Sequence, residues 1–368
     1  MRPVRPVPEG VDRPDWADRP GPVREEDRFD VAAVHRWLGQ QVEEMAELRI
    51  PDVRQFPGGA SNLTYLLRYP DRELILRRPP TGHKAASAHD MGREFRVQRQ
   101  LRPWFPYVPQ VLAMCEDLAV IGTPFYVMAR VPGTILRGAL PDGLALPPAA
   151  ARQLALRAID CLVELHEVDP ETSGLAALGR GPGYVRRQVA GWTDRYRQAR
   201  TPNVPDFEGV MQWLERSQPA DSAMRVIHND FRFDNLVLAS DLRVVGVLDW
   251  EMATLGDPLM DMGAVLAYWI QADDDEEFRH FKRQPSDIPG MPTRSELAEH
   301  YAARAGVVVD DWTFYELFGL FRLAVILQQI YFRFHHGQTT NPAFAEFWLA
   351  VTYLEDRCRR LAGLRSGG

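Results

Sequence analysis

Apolar positions set the first boundaries. Over Asp30–Val42 (DVAAVHRWLGQQV) the residues Val31, Val34, Leu38 and Val42 recur near the helical period, and Asp30 is placed to cap a helix there. Asn62–Tyr69 and Glu73–Arg77 read as strands, and Pro70-Asp71-Arg72 between them has the turn chemistry of a hairpin. His89–Leu101 predicts a helix and Pro124–Ala129 a further strand, after which Val131-Pro-Gly-Thr134 breaks the pattern. Beyond the break, Ala149–His166 reads as a long amphipathic helix and Val244–Leu248 as a short buried strand. Gln271–Pro292, acidic and Pro-containing, reads as an exposed connection. The apolar run Trp312–Phe334 is interrupted by Glu316, Arg322 and Arg333. Charges at those positions are costly in lipid, so it predicts a buried helix and no membrane span.

This order gives an α+β chain in three parts: a Pro-rich tail over 1–27, a β-rich lobe over 28–130 and a mainly helical lobe over 131–368. The tail predicts no regular structure and lacks the apolar stretch of a signal peptide. Composition changes this picture little. Apolar residues at 45% and charged residues at 25% are ordinary for a globular protein with a sizeable core. A net charge of -7 argues against nucleic acid as a partner. Cys115, Cys161 and Cys358 are too scattered for a disulfide framework or a CxxC zinc site and suit a reducing, cytoplasmic setting.

The chemistry gathers in two short segments. One is His228-Asn-Asp-Phe-Arg-Phe-Asp-Asn235; the other is Val247-Leu-Asp-Trp-Glu251, followed by Gly256-Asp-Pro-Leu-Met-Asp261. Phosphoryl transfer needs a carboxylate to orient or deprotonate the attacking hydroxyl, and oxygen ligands that hold Mg²⁺ against nucleotide phosphates. Asp230 in a turn, the Asn235 carbonyl a short turn later, and Asp249 at the end of an apolar strand supply that set. Singly, an Asp in a turn is usually a cap or an Asx turn. Jointly, HxDxxxxN, then a strand ending in Asp, then GDPxxD is a specific combination.

On these motifs the chain resembles the aminoglycoside phosphotransferase and choline kinase-like family, over about Phe56 to Asp261 and more loosely to the C-terminus. The resemblance implies a bilobal protein-kinase-like fold, with ATP or GTP as donor, Mg²⁺ as cofactor and a small hydroxyl-bearing molecule as acceptor. It implies Asp230 as catalytic base or hydroxyl-orienting residue and Asn235 and Asp249 as Mg²⁺ ligands. His228 would support the loop, and Asp261 would hydrogen-bond its backbone.

The small lobe is readable against the same idea. Gly58, Gly59, Ser61 and Asn62 lie where a glycine loop would cover the phosphates. Period-two alternation puts Ile75 and Arg77 on one strand face, Ile75 toward an adenine and Arg77 toward the phosphates. Family members commonly carry Lys here; Arg is a planar fork and not a point charge, and Arg78 competes for the role. Glu94 on the following helix is the natural partner for that cation. Met128, Ala129 and Val131 fall where a hinge strand would meet the adenine edge. Leu76–Pro80, Ala88–Glu94 and Phe125–Met128 resemble the branch of kinase-like domains fused or adjacent to acyl-CoA dehydrogenases. For that branch the implied acceptor is a hydroxyl on an acyl chain, as a hydroxy acid or hydroxyacyl-CoA. An antibiotic kinase is the alternative within the same chemistry. A nucleotide-binding pseudokinase is the alternative outside it, supported by Arg77 in place of Lys and opposed by the intact trio Asp230, Asn235 and Asp249.

Overall fold

The computed structural model describes residues 20–57, 62–80 and 90–364, which fall into two units. The first opens with α1 (Val31–Gln41), β1 (Asp52–Gln55), β2 (Leu63–Arg68), β3 (Glu73–Arg78), α2 (Met91–Leu101), β4 (Val111–Cys115), the short α3 (Leu118–Ile121) and β5 (Phe125–Ala129). The second then contributes α4 (Pro148–His166), α5 (Tyr184–Ala199), α6 (Glu208–Ser217) and β6 (Arg225–Ile227). The chain returns to the first unit for β7 (Leu236–Leu238) and β8 (Val244–Val247). It finishes in the second with β9 (Thr254–Gly256), α7 (Pro258–Tyr268), α8 (Glu276–Arg279), α9 (Arg294–Ala305), α10 (Thr313–His335) and α11 (Phe347–Leu361).

In the first unit a five-stranded antiparallel sheet runs in the order β1-β2-β3-β5-β4. Alternation along β3 divides its side chains between two cores. Leu74 and Leu76 join Tyr65, Leu67 and Val127 beneath Val34 and Leu38 of α1. Ile75 packs on the other side with Leu66, Met91, Tyr126 and Met128. Asp30 caps α1 through the Ala33 amide at 2.8 Å and Asp90 caps α2 through the Arg93 amide at 2.8 Å, so the second helix begins at Met91. β1 and β4 escape the sequence reading because β1 is short and β4 (VLAMC) is apolar without alternation.

The described end of the Pro-rich tail departs from expectation. Gly21 and Gln55 exchange backbone hydrogen bonds at 2.9 Å, extending the sheet edge by one bridge, and Asp27 is buried with its carboxylate on the Gln55 amide at 2.9 Å. These bonds satisfy polar groups that a loose tail would leave to water.

The second unit is helical, with β6 and β9 as a small antiparallel pair. α10 is long and apolar enough to span a bilayer, but here it packs on α5, α7 and α11. Its approach to α7 requires glycine on both sides. A Cβ at Gly263 would lie 2.4 Å from the Tyr315 carbonyl oxygen, and one at Gly319 would lie 2.4 Å from the Gly263 carbonyl oxygen. The stretch 271–292 is not simply an exposed connection. Asp274 pairs with Arg294 at 2.7 Å and Arg357 at 2.9 Å, and Gln284 and Ser286 are buried. The acidic run is held by internal cations, and its Asp275 caps α8.

Candidate active site

The first unit gathers three residues from distant segments. Arg77 on β3 reaches Glu94 on α2 at 2.6 Å and the Asp249 Oδ1 at 3.0 Å. Glu94 is 1% exposed and Arg77 8%, so this is a buried ion pair with a second carboxylate at its mouth. Burial pulls the Arg77 guanidinium down, yet Glu94, Tyr126 and Asp249 together hold it well above its ordinary value. Arg78 takes no part. It points to the other sheet face, donates to the Tyr65 hydroxyl at 2.8 Å and the Asp27 carbonyl at 2.7 Å, and lies over the Phe29 ring. Of the two arginines, Arg77 is the one paired with Glu94 and Asp249.

Asn235 and Asp249 are brought together by a two-strand ladder. β7 and β8 pair Leu236 with Val247, and the Leu248 amide continues the ladder onto the Asn235 carbonyl at 2.8 Å. Asp249 then turns the chain in the left-handed region (φ 67°, ψ 63°), which costs a non-glycine residue about 1–2 kcal/mol. Buried Trp250 fixes the turn through its indole N–H on the Val247 carbonyl at 2.8 Å. Arg93 of α2 holds the next few residues, donating to the Glu251 carbonyl at 2.9 Å and to the Ala253 carbonyl.

The donor set suits a hard divalent cation. An amide oxygen from Asn235 and a carboxylate at Asp249, whose side chain is 31% exposed, are the oxygen ligands Mg²⁺ prefers. Among the described residues no cluster of three or more His, Cys, Asp or Glu could hold a metal by itself. A Mg²⁺ site of this kind is completed by phosphate and water oxygens, so two protein ligands fit it.

The remaining small-lobe expectations fall on both sides of what is described. Gly58, Gly59 and Ser61 lie outside the described residues. Asn62 is buried, and its side-chain amide donates to Glu251 at 3.0 Å, which anchors the start of β2 to the segment after Asp249. Ile75 and Met128 are cross-strand partners on the core face shared with Tyr126, on the same side of β3 as Arg77. The Ala129 amide donates to the Gln110 carbonyl at 2.8 Å, whereas the Val131 backbone makes no hydrogen bond among the described residues.

The second unit carries the loop around Asp230. Its anchor is Asp261 in the first turn of α7, fully buried, which accepts the His228 and Asn229 amides, each at 2.7 Å. The same carboxylate faces the His166 Nε2 at 3.1 Å, and the His166 Nδ1 meets the Tyr301 hydroxyl at 2.7 Å. Burial alone would raise the Asp261 carboxyl, but His166 and the loop amides hold it below its ordinary value. His228 accepts the Asp230 amide on Nδ1 at 3.2 Å, which assigns the ring proton to Nε2 in the neutral form. Asn229, the next residue, takes a left-handed backbone (φ 66°).

Asp230 is half-buried and ion-paired with Arg232 at 3.1 Å. Arg232 also faces Asp234 at 3.2 Å and lies 4.5 Å from the Tyr268 ring centroid. One guanidinium between two carboxylates and an aromatic face fixes the Asp230 side chain. Arg93, Arg232 and the His166–Tyr301 link are contacts that sequence reasoning misses. Arg232 stands inside the HxDxxxxN motif, which is a signal that could have found it; His166 reads in sequence as a helix end, with a Leu-His that resembles one often found in the family.

The order of strands in the first unit, with an Arg–Glu pair between β3 and α2, and an HxD loop fastened by a helix carboxylate in the second, define a kinase-like phosphotransferase of the bilobal α+β class. The chain belongs to the phosphotransferase enzyme family, which it matches over residues 52–300. It is 38% identical over 293 residues to acyl-CoA dehydrogenase family member 10 of Mus musculus, covering 79% of this chain and 27% of that protein. The chain thus spans about a quarter of that relative's length. Among solved structures, a Ralstonia eutropha JMP134 protein provisionally described as an aminoglycoside phosphotransferase is 30% identical with a TM-score of 0.76, covering 91% of this chain and 99% of that one. Choline kinase from Cryptosporidium parvum shares the fold, at 11% identity and a TM-score of 0.60, covering 90% of this chain and 96% of that one.

Proposed function

We propose that the protein transfers the γ-phosphoryl group of ATP or GTP to the hydroxyl of a small hydroxy acid or hydroxyacyl thioester, with Mg²⁺ as cofactor. The observation that carries this reading is the Arg77 bridge to Glu94 and Asp249, because a buried cation shared by a helix carboxylate and a partly exposed one is the arrangement nucleotide phosphates need. The kinship with an acyl-CoA dehydrogenase family member supports an acyl-chain acceptor.

In this reading Asp230 accepts the proton of the acceptor hydroxyl as its oxygen bonds to the γ-phosphorus, while the bond from that phosphorus to the β–γ bridging oxygen breaks and the nucleoside diphosphate leaves. Arg232 holds the Asp230 carboxylate in place. Arg77 binds α/β-phosphate oxygens, kept in position by Glu94. Asn235 and Asp249 would hold Mg²⁺, whose charge offsets that of the phosphates. Ile75 and Met128 would pack against the adenine, and the Val131 backbone would meet its edge. Gly58, Gly59 and Ser61 would cover the phosphates.

The test is nucleoside triphosphate consumption with phosphorylated product identified by mass, across hydroxyacyl-CoAs, hydroxy acids, aminoglycosides and choline-like amines. Product from the hydroxyacyl group alone is expected. Product from aminoglycosides alone would move the assignment to an antibiotic kinase, and product from none would leave a nucleotide-binding protein without turnover.

A further inference from the structure

The long helix α10 carries a charged side chain, Arg322, among core neighbours and, unlike Glu316 on the same helix, without an ion pair among the described residues. Arg322 is only 8% exposed, yet among the described residues it makes no hydrogen bond and no ion pair. Its guanidinium lies 5.4 Å from the Trp192 ring centroid on α5. A second guanidinium, Arg195, lies 4.7 Å from the same ring. One indole thus has two like charges near it, with no carboxylate among the described residues paired to either. A cation this far from water is unfavourable until an anion meets it, and the planar fork of Arg is suited to carboxylate or phosphate.

Its surroundings lead to the Asp230 loop by two routes. Tyr184, the first residue of α5, is buried and its hydroxyl donates to the Asn229 side chain at 3.3 Å, one residue before Asp230. Burial pushes that phenol up to about 12, against the charge of Arg322. Tyr268, under the Arg232 guanidinium, is raised by burial and feels both Asp230 and Arg322. Tyr184 through Asn229, and Tyr268 through Arg232, thus touch the loop that carries the base, and both feel the charge of Arg322, all within the second unit.

We propose that Arg322 receives the anionic group of the phosphoryl acceptor, a carboxylate or a phosphate, while the acceptor hydroxyl lies at Asp230. The acceptor is then a hydroxyl-bearing anion and not a polycation, because a polyamine would face Arg322 and Arg195 without compensation. This rests on Asp230 being the residue that takes the hydroxyl proton.

The decisive comparison uses hydroxy fatty acids of varied chain length, their methyl esters and their CoA thioesters, with wild type, Arg322→Met and Arg322→Lys. Arg322→Met should raise the KM for the anionic acceptor roughly 10- to 100-fold, with the nucleotide KM and the rate on methyl esters unchanged. Arg322→Lys should recover most of the loss. A loss on the free acids alone assigns the anion to the carboxylate, and a loss on the thioesters alone assigns it to CoA phosphate. An equal loss in Arg322→Lys, or a loss that extends to the methyl esters, would make the role one of packing and overturn the proposal. Calorimetric binding of the same acids and thioesters to Asp230→Asn, with and without Arg322→Met, needs no turnover. Binding that weakens with Arg322→Met supports the anion site even if no phosphoryl transfer is found, and binding indifferent to Arg322 overturns it even if transfer proceeds.

Discussion

Two adjacent arginines on β3 show what one residue of alternation decides. Arg77 and Arg78 carry the same group, but the pleat sends Arg77 to Glu94 and Asp249 and Arg78 to Tyr65 and the Asp27 carbonyl. The alternation itself is legible in sequence; which face holds Glu94 is not, because that depends on where α2 packs. Arg77 is also the only neutralising charge directly paired with buried Glu94 among the described residues. Arg77→Met would strand that carboxylate, and an uncompensated buried charge costs about 3–5 kcal/mol. Urea unfolding should show a loss of that size for Arg77→Met, a smaller one for Arg77→Lys, and recovery in Arg77→Met combined with Glu94→Gln. Equal stability of the Met variant and wild type would mean that the pair is not formed in solution.

Elements hold the loop around Asp230 through the Asp261 carboxylate of α7, which faces His166 of α4, itself held by Tyr301 of α9. The family resemblance implied the role of Asp261, and the amide bonds at 2.7 Å match it. The His166 contact was hidden, since 95 residues separate the partners and no local pattern links them. Long-range side-chain contacts of this kind, like Arg93 on the Glu251 carbonyl, are where sequence reading ran out. A depressed carboxyl also has a pH signature. Folded Asp261 stays ionised below its ordinary value of 3.8, where the unfolded chain has taken up protons. Its contribution to stability is therefore full above about pH 4 and is lost as pH falls through the lower folded value. Denaturation of Asp261→Asn should show a deficit against wild type that is largest at neutral pH and narrows below about pH 4. A deficit independent of pH would place the effect in shape and not in charge.

At the scale of the molecule, the α+β order was legible because strands gather before the Val131–Thr134 break and helices after it, and the bilobal fold through the resemblance that the motifs carry. The return of Asn235–Ala253 to the first unit was not, since a short apolar strand does not say which sheet or hairpin it joins. The placement has a consequence for chemistry: the proposed Mg²⁺ ligands Asn235 and Asp249 sit in the unit that holds Arg77 and Glu94, while the proposed base Asp230 belongs to the other. Nucleotide binding and proton acceptance are then separable by mutation. The most direct measurement is phosphoryl transfer by Asp230→Asn beside its nucleotide affinity. The expected result is an unchanged Kd for Mg²⁺-nucleotide and transfer slowed roughly 10²- to 10⁴-fold, the range a positioned general base supplies. Transfer at the wild-type rate in that variant would contradict it.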